Sequence, residues 1–81
     1  METKRKEKLL ERITIKEGMM GGKPTIRGMR FPVKDVLELM ASGMTIDQIL
    51  HEHPILENED ILAALIYASL KIDNNISVHA A

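Results

Sequence analysis

Glycine and proline divide this chain before any other residue type does. All five glycines and all three prolines lie between positions 18 and 54. That middle segment can therefore hold only short elements separated by turns. "ITIK" (13–16) alternates apolar and polar residues, as a half-buried strand does. "EGMMGGKP" (17–24) is dense in turn formers, and "TIRGMRF" (25–31) returns to alternation with Ile26 and Phe31 inward. Gly28 inside that second run predicts a bulge. Residues 13–31 thus read as a β-hairpin.

Pro32 opens a helical pattern, suited to a first turn where a missing N–H costs nothing. Val33, Val36, Leu37 and Met40 recur at i, i+3, i+4 and i+7. Gly43 is placed to stop this helix (about 32–42) in the left-handed conformation, with Met44 folding back behind it. Thr45 and Gln48 have the spacing of a capping box, which starts a second helix (about 45–53) with Ile46, Ile49 and Leu50 buried. Pro54 ends it, with His53 as a cap at the helix end. A third helix (57–70) follows the link "HPIL", its acidic first turn complementing the helix dipole and Glu57 or Asn58 as N-cap. The last two helices have the proportions of a helix-turn-helix. Residues 1–12 mix both charges and read as a frayed helix or disordered arm; residues 71–81 show no pattern and read as a flexible tail. The expected fold is mainly α: a short N-terminal hairpin, then a three-helix bundle, in one domain over 13–70.

Composition removes several functions. Eighty-one residues make one domain with a small core. Without cysteine there is no disulfide and no thiolate zinc site. No run of about 18 apolar residues exists to span a membrane, and charge occupies the place of a signal peptide's apolar region. A soluble cytoplasmic protein is expected, with no membrane partner. Phe31 and Tyr67 are the only aromatic residues, too few for the stacking platform that holds single-stranded nucleic acid.

Catalytic patterns are missing too. Gly22-Lys23 is followed by Pro24, and Glu17 stands where a P-loop needs its first glycine. The G-x-G-x-x-G dinucleotide pattern is absent. His51 and His53 lie two apart, about 200° apart on a helix, which is poor geometry for a shared metal. Glu57, Glu59 and Asp60 are explained by a helix start. Ser42, Ser69 and Ser77 have no neighbouring histidine base. The expectation is a protein that is not an enzyme, with no catalytic residue, metal or cofactor.

Charge is divided along the chain. Residues 1–34 hold ten Lys/Arg against four acids, +6; residues 35–81 hold Lys71 against eight acids, −7. Residues 45–70 contain no lysine or arginine and five carboxylates, three of them at the start of the last helix. Repulsion from phosphates argues that helix 57–70 does not read DNA. DNA, if bound, falls to Lys4, Arg5 and Lys6, with Lys8, in the arm and to Arg27, Arg30 and Lys34 near the hairpin. The alternative for Arg30, and to a lesser degree Arg27, is a pair with a carboxylate that fixes the hairpin to the helices.

The last helix carries two apolar stripes. Ile61, Ala64, Leu65 and Ala68 are expected to face the core. Leu62, Ile66 and Leu70 form a second stripe that predicts a partner, unless the hairpin folds over it. Met19, Met20 and Met29 add a soft contact surface.

"GGKPTIRGMRFPV…VLELMASGMTIDQIL…HPILENEDILAALIYA" resembles the family known as domain of unknown function 433. The matching positions are Gly21, Gly22, Pro24, Ile26, Gly28, Arg30, Pro32 and Val33, then Gly43, Met44 and Thr45. Pro54, Leu56, Ile61, Ala64, Leu65, Tyr67 and Ala68 complete the pattern. Met29 replaces the usual threonine, and Glu57 the usual hydroxyl cap. The resemblance implies a helix-turn-helix-like fold of the homeodomain-like kind and, as in some members, the role of type II antitoxin beside a PIN-like ribonuclease toxin. The expected partners are a second copy of the chain, such a toxin, or both. The alternatives are a DNA-binding regulator using the basic N-terminal region and an interaction module without nucleic acid contact.

Overall fold

Caps written into the sequence set the helix limits. In the computed structural model, which describes residues 2–75, Gly43 adopts φ +99° at the end of helix α2 (Val33–Ala41), preceded by α1 (Thr3–Leu10). The Gly43 N–H donates to the Met40 carbonyl at 3.0 Å and the Met44 N–H to the Leu39 carbonyl at 3.4 Å. Two orphan carbonyls are thereby satisfied in a Schellman motif. Helix α3 (Ile46–Glu52) begins on the expected capping box. The Gln48 N–H donates to Thr45 Oγ1 at 3.1 Å, and the Thr45 N–H donates to Gln48 Oε1 at 2.8 Å. Pro32 precedes α2 as its N-cap rather than standing in the first turn.

The hairpin forms, but over a shorter span than its sequence pattern. Strand β1 (Ile13–Thr14) pairs antiparallel with β2 (Thr25–Ile26), with Ile13 opposite Ile26 and Thr14 opposite Thr25. Between them runs a loop with a short 3₁₀ turn at Met20–Gly22. Thr25 is wholly buried, and its Oγ1 lies 3.0 Å from Thr14 Oγ1. Gly28 makes a turn, not a bulge: the Met29 N–H donates to the Ile26 carbonyl at 2.8 Å across Arg27 and Gly28, both at positive φ (45° and 70°). That is the type I′ geometry of tight hairpins, and it turns the chain so that Thr25 bridges Pro32.

The core is one cluster of Ile26, Val33, Val36, Ile49, Leu56, Ile61 and Ala64, taken from the hairpin, three helices and the link before the last of them. Helices α2, α3 and α4 (Asn58–Asn75) make the helix-turn-helix-like bundle, mainly helical with the hairpin at its N-terminal side. Two expectations about the ends change. Residues 3–10 are the helix α1, packed on α4, with Leu9 only 5% exposed. Residues 71–75, expected in the tail, continue α4; the rest of the expected tail, 76–81, lies outside the described residues. Among the described residues no helix is long and apolar enough to cross a membrane.

Because Gly43 alone of the twenty residue types holds φ near +99° without strain, Gly43→Ala should lower stability by about 1–2 kcal/mol. Thr45→Ala should cost about 1 kcal/mol through its cap. Urea denaturation checks both: the midpoint falls and the slope stays the same.

Candidate functional site

A buried carboxylate organises the junction of hairpin and bundle. Asp60, the third residue of α4, is 0% exposed. An ionised carboxylate so placed is tolerable only with cations and donors on every lone pair. It has them. Arg27 Nε donates to Asp60 Oδ1 at 3.0 Å and Nη2 to Oδ2 at 2.9 Å, a bidentate fork. Arg12 Nη1 adds a bond to Oδ1 at 3.0 Å, and the Glu57 N–H donates to Oδ2 at 2.8 Å. That last bond satisfies a helix-terminal donor, so Asp60 performs half of a capping box where the family resemblance put a hydroxyl residue one turn earlier. The Glu57 carboxylate is turned outward instead and accepts from Arg12 Nη1 at 2.7 Å.

Each arginine is positioned by its own backbone. Arg27 stands at positive φ, a strained place for a side chain with a Cβ. Three contacts hold it there: the fork to Asp60, Nη2 to the Ile55 carbonyl at 2.7 Å, and its N–H to the Arg12 carbonyl at 2.7 Å. Burial alone would push the Asp60 carboxyl up. The hydrogen bonds from Arg27, the Glu57 N–H and Arg12 outweigh burial and hold it below its ordinary value of 3.8. Arg12 is raised, first by its bond to Glu57 and then by that to Asp60.

The structure scatters the cations proposed for DNA. Lys4 and Arg5 are exposed on α1, where they border a cavity with Lys8, Leu9, Arg12 and Glu59. Lys6 is half-buried. Lys34 is exposed on α2 and bonds Glu38 one turn on at 2.9 Å. Arg30 is exposed beside Phe31, Asp35, Glu38 and His53. Arg27 is withdrawn into the Asp60 fork, so the hairpin is fixed to the helices by Arg27, where Arg30 was the stronger expectation. Arg12, missed from the sequence because it closes a stretch read as an arm, completes the tie.

The acidic start of α4 also changes meaning. Of its three carboxylates, Asp60 is buried between two arginines and Glu57 is paired; Glu59 stays exposed. The repulsion expected of three free charges is reduced there. His53 is the C-cap residue of α3, half-buried with its ring edge-on to Phe31 at 5.2 Å.

The second apolar stripe of α4 is partly covered. Leu62, Ile66 and Leu70 are each half-buried on a helix that meets α1 and β1, and Leu70 shares a cavity wall with Leu10 and Ile13. The cover is α1 together with β1, where the hairpin alone was the alternative weighed. Met29 packs against the core, and Met19 and Met20 are half-buried, so the methionines form no open surface. The buried arc of α4 runs through Asp60, Ile61, Ala63, Ala64 and half-buried Tyr67: Ile61 and Ala64 face the core as expected, Ala68 is half-buried, and Leu65, also expected there, is 38% exposed. The signal that finds this arc is Asp60–Ala64–Tyr67 at i, i+4, i+7, with an acid inside an apolar set.

Against known proteins, the family model described as Protein of unknown function (DUF433) matches residues 13–68. The chain belongs to that family. It is 40% identical over 58 residues to Uncharacterized protein y4eO of Sinorhizobium fredii (strain NBRC 101917 / NGR234), a stretch covering 72% of this chain and 26% of that protein. The chain thus spans about a quarter of that relative's length. A crystal structure of a DUF433 member from Anabaena variabilis ATCC 29413 superposes with TM-score 0.73 at 30% identity, covering 83% of this chain and 66% of that one, just under two thirds. Helix α1 lies before the span matched by the family model.

Leaving Asp60 buried with one cation should be costly: Arg27→Met should destabilise by about 3 kcal/mol. Arg12→Met, which leaves the fork intact, should cost about 1.5–2 kcal/mol. The acid limb follows from the sign of the shift. With the folded value below the unfolded one, Asp60 stabilises fully above about pH 4 and loses that contribution as pH falls through the folded value. Thermal melts from pH 7 to pH 2 should show that decline, and Asp60→Asn should flatten part of it.

Proposed function

We propose that this protein acts by binding and not by catalysis, as the antitoxin of a type II pair that restrains a PIN-like ribonuclease in the cytoplasm by direct contact. The observation that carries this reading is the apolar stripe of α4 at i, i+3 and i+7, in which Leu65 and Ile72 are exposed and Ala68 between them is half-buried. Exposed aliphatic side chains aligned on one helix mark a protein contact. The resemblance described above implies the class of partner, and the stripe supports the reading as a means of holding it. Asp47, Glu52, Glu57 and Glu59 are exposed on α3 and the start of α4, and would steer the chain toward a basic RNA-binding surface.

The helix-turn-helix gives little support for DNA reading by α4. Residues 45–70 have no lysine or arginine, and Arg12 and Arg27, which reach the start of α4, are spent on Asp60. One observation favours the regulator as second reading: Lys4, Arg5 and Lys8 share one exposed side of α1. A regulator would bind duplex DNA with steep salt dependence, lost on substitution of Lys4, Arg5 and Lys6.

Co-purification with the product of the adjacent gene, followed by a ribonuclease assay, tests the proposal. The wild-type chain should suppress cleavage, and Leu65→Asp with Ile72→Asp should abolish suppression while the circular dichroism spectrum is unchanged. Suppression undiminished by these substitutions, or no suppression at all, contradicts it.

A further inference from the structure

Taking in Ala68 and Ile72 of the α4 stripe, α2 and the second half of α4 flank an open groove of about 410 Å³. Leu37, Tyr67 and Ile72 are among its walls, and Lys23, Lys34 and Lys71 stand around it. Among the described residues no carboxylate lines it, although residues 35–81 carry eight acids and only one base. That one base, Lys71, is at the groove, its Nζ 5.5 Å from the centre of the Tyr67 ring. Lys34 is held only by an exposed pair with Glu38, which exchanges readily for another anion. Lys23 is exposed and makes no ion pair among the described residues. Lysine stems can extend the apolar wall while their ammonium groups stay at the edge.

We infer that this groove is the seat of a partner's amphipathic helix whose apolar residues recur at i, i+4 and i+7 and whose flanks carry Asp or Glu. The inference rests on the binding role proposed above and specifies the chemistry of what is bound. Two helices side by side leave a trough that takes a third helix along its length. Three cations around the trough, only Lys34 of them in an ion pair among the described residues, select acidic flanks, since a lysine-flanked helix would set like charges against one another. This separates two surfaces of opposite sign: carboxylates on α3 and the start of α4, lysines at the far end of α4.

Three labelled synthetic helical peptides test it against the full chain by fluorescence anisotropy. One has leucines at that spacing and glutamate flanks, one the same leucines with lysine flanks, and one the glutamates with serine for leucine. The first should bind at least about tenfold more tightly than either of the others. Lys23→Glu, Lys34→Glu and Lys71→Glu together should transfer the preference to the lysine-flanked peptide, and Ile72→Asp should weaken the first peptide by about tenfold. Equal binding of the first two, no binding of the first, or insensitivity to the lysine reversals overturns the inference. Binding that appears only after residues 76–81 are removed overturns it as well, by assigning the groove to the chain's own end. So does self-association that Ile72→Asp abolishes. The lysine-reversed chain also goes into the ribonuclease assay. If it suppresses cleavage as the wild type does, the groove inference falls and the antitoxin reading stands; if wild type never suppresses cleavage, that reading falls while the peptide preference is still decided.

Discussion

One buried carboxylate holds the hairpin to the helices. Asp60 receives Arg12 from the chain just before β1, Arg27 from the turn just after β2, and the Glu57 N–H from the start of its own helix. Those groups are far apart in sequence, 48 residues for Arg12 and 33 for Arg27. The two-stranded hairpin, with two residues in each strand, is too small to be stable by itself. Its fixed position comes from Asp60 on one side and from Ile26, buried in the core, on the other. A buried ion pair is weak evidence of net stability, but removing one partner is costly because it leaves a buried charge unpaired.

Local chemistry made much of this fold readable. Gly43 and the Thr45–Gln48 box act within a few residues of themselves, and the limits of α2 and α3 fell where those residues put them. DUF433 membership was legible for the same reason, because its pattern is largely a pattern of turns and caps. Helix α1 was legible only as one of two alternatives, a frayed helix or a disordered arm, since its cover comes from α4, far along the chain. The facing of α4 was legible in part: Ile61 and Ala64 are buried as expected, but an acid was counted as exposed. Once Asp60 is placed inside, the buried arc turns toward Ala63 and Tyr67, and Leu65 moves to the surface. Arg27 was the weaker of two arginines to choose, because a pair joined over tens of residues leaves no mark in either neighbourhood.

The same interaction redistributes charge. A reading by position gives a basic first third facing an acidic remainder. In three dimensions two of those basic residues neutralise the acidic start of α4, and the exposed cations that are left fall into separate places: α1, the α2–α4 groove and the vicinity of Phe31. No single basic face for a nucleic acid results among the described residues. What the arrangement does leave is aliphatic surface on α4, beside lysines that are not needed to hold the fold.

Amide hydrogen exchange on Asp60→Asn tests the central claim most directly, since it reads hairpin and helix in one experiment. If Asp60 ties the elements together, protection should fall together at the Arg27 N–H, which donates to Arg12, at the Gly28 N–H, which donates to Thr14, and at the Glu57 N–H, while the amides of α2 keep theirs. Loss confined to Glu57 and the first turn of α4, with Arg27 and Gly28 as protected as in the wild type, would contradict the account.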